Sequence, residues 1–103
     1  MLFAVWACDA PGTLEARLRV REAHRARLRE PAPHPVRVLQ AGATLEEVSG
    51  AMNGTLLVVQ ADDIEAVRAF VAGDPYIEAG VYARVDIRPW RCGLGSLSAL
   101  ADS

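Results

Sequence analysis

The sequence predicts an α+β fold in which two helices cover one face of a four-stranded antiparallel sheet. Two short segments, Leu2–Cys8 and Thr55–Val59, are continuously apolar, which is typical of strands inside a sheet. Two longer segments, Leu14–Glu30 and Asp63–Ala72, have the apolar spacing of helices. Alternating segments complete the order β-α-β-β-α-β, which is the ferredoxin-like arrangement. At 103 residues the chain is long enough for one such domain.

The first half of the chain is predicted to form a strand, a long helix and a second strand. Asp9–Gly12 interrupts the first strand, and Thr13 is a good N-cap for the helix that follows. The prolines after Glu30 end this helix, because proline removes a backbone N–H. The second strand is Val36–Gln40. The buried side of the helix is predicted from its leucines, Leu14, Leu18 and Leu28.

The second half is predicted to contain a loop, the third strand and the second helix. Ala41–Asn53 has the glycines of a loop, with room for a helical turn at Leu45–Val48. Asp62 and Glu65 form an acidic variant of a capping box before the second helix. Gly73 is predicted to be the C-cap of that helix.

The last strand, Val81–Trp90, alternates between two faces. One face is predicted to carry Val81, Ala83, Val85 and Ile87, and the other Tyr82, Arg84, Asp86 and Arg88. The strand ends the domain, which is predicted to span residues 1–90. Residues 91–103 form a C-terminal tail, in which Gly93 and Gly95 lack the third glycine and the long helix of a dinucleotide-binding loop.

The face of the sheet that the helices leave open is predicted to be covered by a second copy of the chain. The first and third strands are apolar on both faces, although the two helices of this arrangement cover only one. Left uncovered, the other face would be an exposed apolar patch of several hundred Å². A homodimer, with sheet facing sheet, is the simplest arrangement that buries it.

Composition excludes several functions. The formal charge is −2, and the arginines of the first helix are spread around its circumference without interleaved aromatic residues, so no nucleic-acid partner is expected. The chain has no lysine, which excludes Schiff-base chemistry. No segment approaches the roughly 20 apolar residues of a membrane span. The apolar start lacks a basic region, so it is interpreted as a strand rather than a signal peptide, and a cytoplasmic location is expected.

No metal or organic cofactor is expected. The two histidines have no cysteine or carboxylate at ligand spacing. Cys8 and Cys92 lie at opposite ends of two antiparallel strands in the predicted fold, too far apart for a disulfide.

A histidine and an aspartate are the candidate catalytic pair. His24 lies on the arginine-rich first helix, and Asp74 follows the second helix. On the helical wheel Arg17 and His24 lie beside the leucine face, and Arg21 lies within it, where an arginine needs a carboxylate, a carbonyl or a bound anion. The candidate substrate-binding residues are Arg17, Arg21, Tyr76 and Tyr82.

Each candidate also has an ordinary structural explanation. His24 fits a half-buried structural histidine, and Asp74 before Pro75 fits a helix N-cap. The arginines would then pair with carboxylates such as Glu22 or Asp86. The other histidine, His34, lies between prolines and is expected to be exposed.

Several segments resemble the YCII-related family over about residues 1–90. They are the start Met1–Val5, the helix motif Arg17–Leu28 with Arg-Glu-Ala-His-Arg, the strand exit Leu39–Gly42, and Gly73–Tyr76 followed by Ala79–Tyr82. Glu22 stands where many relatives have proline. The resemblance implies a dimeric α+β barrel of ferredoxin-like subunits. It also implies a pocket with a His–Asp pair, here His24 and Asp74.

The function that this resemblance implies is cofactor-free proton transfer. Relatives in the same fold group include lyases and isomerases that act on lactones and on breakdown products of chlorinated aromatics. His24 would be the acid or base, Asp74 would orient its ring, and an arginine would hold a small anionic substrate. The alternative is a non-catalytic homodimer that binds a small ligand or serves as an accessory protein, because fold does not determine function.

Overall fold

The computed structural model describes residues 1–100 and has the predicted ferredoxin-like fold. Its antiparallel sheet has four strands in the order β2-β3-β1-β4. No helix within residues 1–100 has the length and apolar character needed to cross a membrane. The elements are β1 (Leu2–Asp9), α1 (Leu14–Arg29), β2 (Val36–Leu45), β3 (Met52–Ala61), α2 (Ile64–Ala72), the single turn α3 (Pro75–Glu78), β4 (Tyr82–Trp90) and a 3₁₀ turn at Ser98–Leu100.

The core lies between one face of the sheet and the helices. Alternate residues of β1 and β3 point to this face, as the twofold period of a strand requires. The helix-facing rows continue past the core to Asp9 on β1 and Thr55 on β3, where they reach the candidate site. The main cluster of buried apolar residues in this core consists of Phe3, Val5, Leu57, Val59, Ala61, Val67, Phe70 and Val71.

α1 packs on the sheet through a different face from the one predicted by its leucines. Arg17 and His24 are its buried residues. Leu14 and Leu18 are 39% and 54% exposed, whereas Leu28 packs against the core. The prediction is therefore wrong for Leu14 and Leu18. Buried carboxylates stabilise the inward orientation of Arg17 and His24, as described below.

β2 and β3 form one long hairpin where the sequence predicted a loop at Ala41–Asn53. Pairing runs from Val36 opposite Ala61 to Leu45 opposite Met52. The loop prediction is wrong for residues 41–45 and 52–53, because Gly42 and the following Gly54 lie in paired strands, whereas Gly50 lies in the turn between them. At Gly54, for example, an added Cβ would lie 2.6 Å from the carbonyl oxygen of Ala7.

The hairpin turn contains one helical hydrogen bond, from Gly50 N to Glu46 O at 2.9 Å, close to the helical turn predicted at Leu45–Val48. The Glu46 carboxylate accepts hydrogen bonds from the backbone N–H groups of Val48 and Ser49, at 2.7 and 2.5 Å. These backbone bonds lower the pKa of Glu46, because they stabilise its charged form.

A β-bulge determines which face of the sheet Tyr82 occupies. The register between β1 and β4 shifts between Cys8 and Asp9, because Ala83 has no partner in β1. Tyr82 therefore lies on the helix-facing side, where its hydroxyl contacts Thr55. The prediction that Tyr82 lies on the opposite face from Val85 and Ile87 is wrong, because strict alternation does not allow for an extra residue.

The helix ends are close to those predicted. The N-cap of α2 is Asp63, which accepts a hydrogen bond from Ala66 N, rather than the predicted Asp62. Gly73 is its C-cap, as predicted. Thr13 stands at the N-cap position of α1 but makes no side-chain cap.

Both cysteines are free, as predicted, and Cys92 is buried just beyond the last strand. Its thiol contacts the carbonyl oxygen of Leu94 at 3.3 Å. The division between a domain and a tail at residue 90 stays a prediction, and residues 101–103 of the tail lie outside the described residues.

Candidate active site

His24 and Asp74 are in direct contact at the junction of α1 and α3. His24 Nδ1 lies 2.9 Å from Asp74 Oδ1 and 2.8 Å from Oδ2. Both residues are 5% exposed, although they are separated by 50 positions in the sequence. The fold therefore brings the two candidate catalytic side chains together in a buried contact.

Asp74 is also the N-cap of α3. Its Oδ1 accepts a hydrogen bond from Tyr76 N at 2.9 Å, and Pro75 occupies the first helical turn. The two interpretations of Asp74 are thus not exclusive, because one carboxylate caps a helix and holds a histidine. An ionised carboxylate only accepts hydrogen bonds, so Nδ1 of His24 is the donor and the neutral ring has its lone pair on Nε2.

The ring of Tyr76 packs against both buried polar residues of α1. It stacks on His24 with ring centroids 4.0 Å apart and planes inclined by 21°. The guanidinium carbon of Arg17 lies 4.4 Å from the centre of the same ring. Tyr82 meets the ring edge-on at 5.6 Å. Tyr76 therefore restricts the orientation of the His24 ring beyond what the Asp74 contact alone achieves.

Arg17 is held by the carboxylate of Asp9, a partner that was not predicted from the sequence. Its Nε and Nη2 donate to the two carboxylate oxygens of Asp9, at 2.7 and 2.8 Å, and Nη2 also donates to Thr55 Oγ1 at 2.8 Å. The expected partners Glu22 and Asp86 instead pair with other arginines. Asp9 could have been found from sequence, because it continues the alternating inward row of β1.

Burial and charge affect three groups around this pair. Burial of Arg17 opposes its charge, but the hydrogen bonds and charge of Asp9 outweigh this effect and raise the pKa of Arg17. Burial raises the pKa of Tyr76 and of Tyr82 above the ordinary value of 10. Both phenols therefore stay protonated at neutral pH.

A small pocket of about 210 Å³ opens beside His24. It is smaller than the roughly 300–1,000 Å³ typical of drug-sized ligands, so it suits a single ring or a short acid. Tyr82 is not among the residues that line it. These are Arg17, Arg21, His24, Arg25 and Leu28 from α1, Ala41, Gly42 and Ala43 from β2, Met52 and Thr55 from β3, and Tyr76.

Two polar groups in this pocket have no partner within residues 1–100. Arg21 is half-buried and makes no hydrogen bond or ion pair there. His24 Nε2 also has none. Within residues 1–100, Arg27 Nη1 is the one fully buried side-chain nitrogen or oxygen that lacks a partner, so His24 Nε2 is partly accessible, and His24 lines the pocket. The site thus presents one basic nitrogen and one cation to a ligand.

His34 lies outside the pocket and is half-buried rather than exposed, so the expectation for it is wrong. Its Nε2 is 3.2 Å from Arg27 Nη2, and its ring meets Phe70 edge-on. Within residues 1–100, no group of three or more His, Cys, Asp or Glu side chains is arranged to hold a metal ion.

The YCII-related domain model matches residues 1–91 of this chain. The chain belongs to the YCII-related family. An uncharacterized protein of Haemophilus influenzae is 40% identical over 96 residues, which cover 88% of this chain and 97% of the relative. Protein YciI of Escherichia coli is 33% identical, with the same coverage of both chains.

A solved structure of similar fold comes from Burkholderia phenoliruptrix AC1100. It is 5-chloro-2-hydroxyhydroquinone dehydrochlorinase, TftG, in complex with 2,5-dihydroxybenzoquinone. It is 32% identical, with a TM-score of 0.78, and the match covers 90% of this chain and 96% of that chain. This YCII-related chain is therefore similar along most of its length to an enzyme that removes hydrogen chloride.

Replacing Asp9 with asparagine should destabilise the protein strongly. The Arg17 guanidinium, 2% exposed, would lose its counter-charge, and removing one partner of a buried ion pair typically costs about 3–5 kcal/mol. Urea unfolding measures the loss. The matched control is Glu22→Gln, which breaks an exposed pair with Arg25 and should cost less than about 1 kcal/mol. Equal effects of the two substitutions would contradict a buried Arg17–Asp9 pair.

The free energy of unfolding should fall as the pH rises above 10. Tyr76 and Tyr82 have pKa values raised in the folded state, so the unfolded chain loses these protons first and is favoured by alkali. Each group adds at most about 1.4 kcal/mol per pH unit to the slope. In Tyr82→Phe one of the two groups is gone, and the slope between pH 10 and 11 should be shallower. An unchanged slope in urea unfolding would show that Tyr82 ionises normally.

Proposed function

We propose that this protein is a cofactor-free enzyme that uses His24 and Asp74 to transfer a proton on a small anionic ring substrate, with loss of a leaving group. The observation that carries the proposal is the asymmetric environment of the His24 ring. Nδ1 lies within hydrogen-bond distance of both oxygens of Asp74, whereas Nε2 has no partner and is open to the pocket. A histidine held in this way has one nitrogen available as a base.

Asp74 supports the base in two ways. It accepts the Nδ1 proton, so the lone pair of the neutral ring is on Nε2. It also stabilises the imidazolium that forms when Nε2 takes a proton, as a buried carboxylate does in other His–Asp pairs. These roles require no metal and no organic cofactor.

Arg21 is the residue we propose for binding the substrate anion. Arg17 was an equal candidate from sequence, but its Nε and Nη2 are already used by Asp9 and Thr55. Arg21 lines the same pocket with its hydrogen-bonding capacity unused. It lies three positions before His24, so both side chains project from the same side of α1. Tyr76, whose ring already contacts His24 and Arg17, also lines this pocket.

The similarity to the dehydrochlorinase supports a substrate of this class. In the proposed step, His24 Nε2 removes a proton from a hydroxyl of the keto tautomer, in which the carbon that bears the halogen is tetrahedral. The electron pair of the O–H bond forms a new carbonyl, the ring double bond shifts, and the carbon–halogen bond breaks with its pair to release halide. The imidazolium then returns its proton to water. The substrate loses one proton and one halide ion, and no oxidant is needed.

We also propose that two copies pair through the open face of the sheet. Trp6 and Leu56 are 48% and 49% exposed on this face, next to a small row of charges on β4. Static light scattering at micromolar concentration should give twice the 11.1 kDa mass of one chain. A monomeric mass would contradict this pairing.

The proposed reaction is tested by halide release from 5-chloro-2-hydroxyhydroquinone and related halogenated hydroxyquinols. Wild-type protein should release halide and form the quinone. The quinone is measured by its visible absorbance. His24→Ala should lower kcat about 10²–10⁴-fold, because general acid–base catalysis contributes this much. Asp74→Asn should also lower kcat, although asparagine is as good an N-cap as aspartate and keeps the start of α3 intact.

The matched control is His34→Gln, because this histidine is half-buried and lies outside the pocket. It should keep wild-type turnover. Full activity of His24→Ala would contradict the catalytic role. If wild-type protein binds these compounds in the pocket and converts none of them, the non-catalytic ligand-binding alternative is favoured. Arg21 would bind the ligand anion in either case.

A further inference from the structure

Thr55 lies in the candidate site but has no role in the mechanism proposed above. It lies on the helix-facing side of β3, opposite Ala7 of β1, and it is 2% exposed. It also lines the pocket beside His24. A buried hydroxyl in a ligand pocket must be satisfied by the protein or by the ligand.

The hydrogen bonds around Thr55 leave its own proton unused. A threonine hydroxyl has one proton to donate and two lone pairs that accept. Arg17 Nη2, which can only donate, occupies one lone pair at 2.8 Å. The hydroxyl of Tyr82 lies 2.8 Å away and donates to the other. Both acceptor positions are then filled, and no group within residues 1–100 accepts the Thr55 proton.

The two groups that donate to Thr55, Arg17 and Tyr82, also make its hydroxyl a stronger hydrogen-bond donor. Arg17 carries a full positive charge that its double contact with Asp9 fixes in place. Chains of hydrogen bonds polarise one another, and a hydroxyl that accepts from a cation donates more strongly. Of the two hydroxyls in this chain, that of Thr55 belongs to a residue that lines the pocket and that of Tyr82 does not, so Thr55 is the hydroxyl that meets a ligand.

We propose that the Thr55 hydroxyl donates a hydrogen bond to a ring oxygen of the ligand, and that the Arg17–Thr55–Tyr82 chain orients and polarises it for this contact. The ligand class is a small ring with a carbonyl or ionised hydroxyl oxygen, which accepts the Thr55 proton while another part of the ring faces His24. The inference rests on the proposed function for the location of the site, but it concerns binding and does not require turnover.

Binding of 2,5-dihydroxybenzoquinone to the full chain tests this inference without relying on catalysis. Isothermal titration gives Kd, and the visible spectrum of the bound quinone reports the hydrogen bond to its oxygens. Thr55→Val keeps the side-chain shape and removes the hydroxyl, so it should weaken binding about tenfold or more, as expected for loss of a charge-assisted bond. Thr55→Ser keeps the hydroxyl and should bind within about threefold of wild type, with the wild-type spectrum.

Two further variants make the test decisive. Thr55→Ala leaves space for a water to accept from Arg17, and it replaces the valine variant in the comparison if that variant does not fold. Tyr82→Phe removes the donor behind Thr55, so it should weaken binding less than Thr55→Val does. If Tyr82→Phe is as damaging as Thr55→Val, the unused proton belongs to Tyr82 and the inference is wrong.

The remaining outcomes separate this inference from the proposed function. Wild-type affinity in Thr55→Val, or equal losses in the valine and serine variants, would overturn the role of Thr55 even if halide release is observed. Failure of wild type to bind the quinone at millimolar concentration would also overturn it. Binding that depends on the Thr55 hydroxyl, without halide release from any substrate, would support the inference and count against the enzyme proposal.

Discussion

The contact between the Asp74 carboxylate and His24 Nδ1 is the interaction on which the architecture of the site depends. It joins α1 to α3 across 50 positions of sequence. The same carboxylate begins α3 by accepting from Tyr76 N, which places the Tyr76 ring against His24. Because both partners are buried, removal of either would leave a polar group without a partner, which costs about 1–3 kcal/mol or more. Fold stability and the orientation of the candidate base therefore depend on one side chain.

A second buried polar contact gives α1 its unusual inner face. Arg17 and His24 point inward, each held by a carboxylate from another element, while Leu14 and Leu18 stay exposed. A helix that packs through charged residues leaves polar atoms, rather than a continuous apolar seam, between itself and the sheet. The pocket opens along this polar face, where Arg21 and His24 Nε2 have no partner within residues 1–100. Packing and ligand recognition thus depend on the same side of α1.

The element order and the contact between His24 and Asp74 were predictable from sequence, because apolar periodicity and family-like motifs carry that information. The orientation of α1 was not predictable, because on a helical wheel the spacing of the leucines outweighs two polar residues. In the structure, Asp9 stabilises the buried position of Arg17. The inward position of Tyr82 depends on a β-bulge, which a prediction from strict strand alternation does not include. The alternating rows of β1 and β3 did contain a signal for Asp9 and Thr55, which lie on the same face as the core residues.

The tautomer of His24 is the most direct test of whether Asp74 leaves Nε2 free to act as a base. In ¹⁵N-labelled protein, two-bond ¹H–¹⁵N correlations of the imidazole ring show which nitrogen carries the proton in the neutral form. We expect the Nδ1–H tautomer in wild type, with Nε2 unprotonated, and a loss of this preference in Asp74→Asn, which retains the helix cap. A neutral His24 that carries its proton on Nε2 in wild type would rule out this role for the His24–Asp74 pair, because the nitrogen on the other side of the ring from Asp74 could then not act as a base.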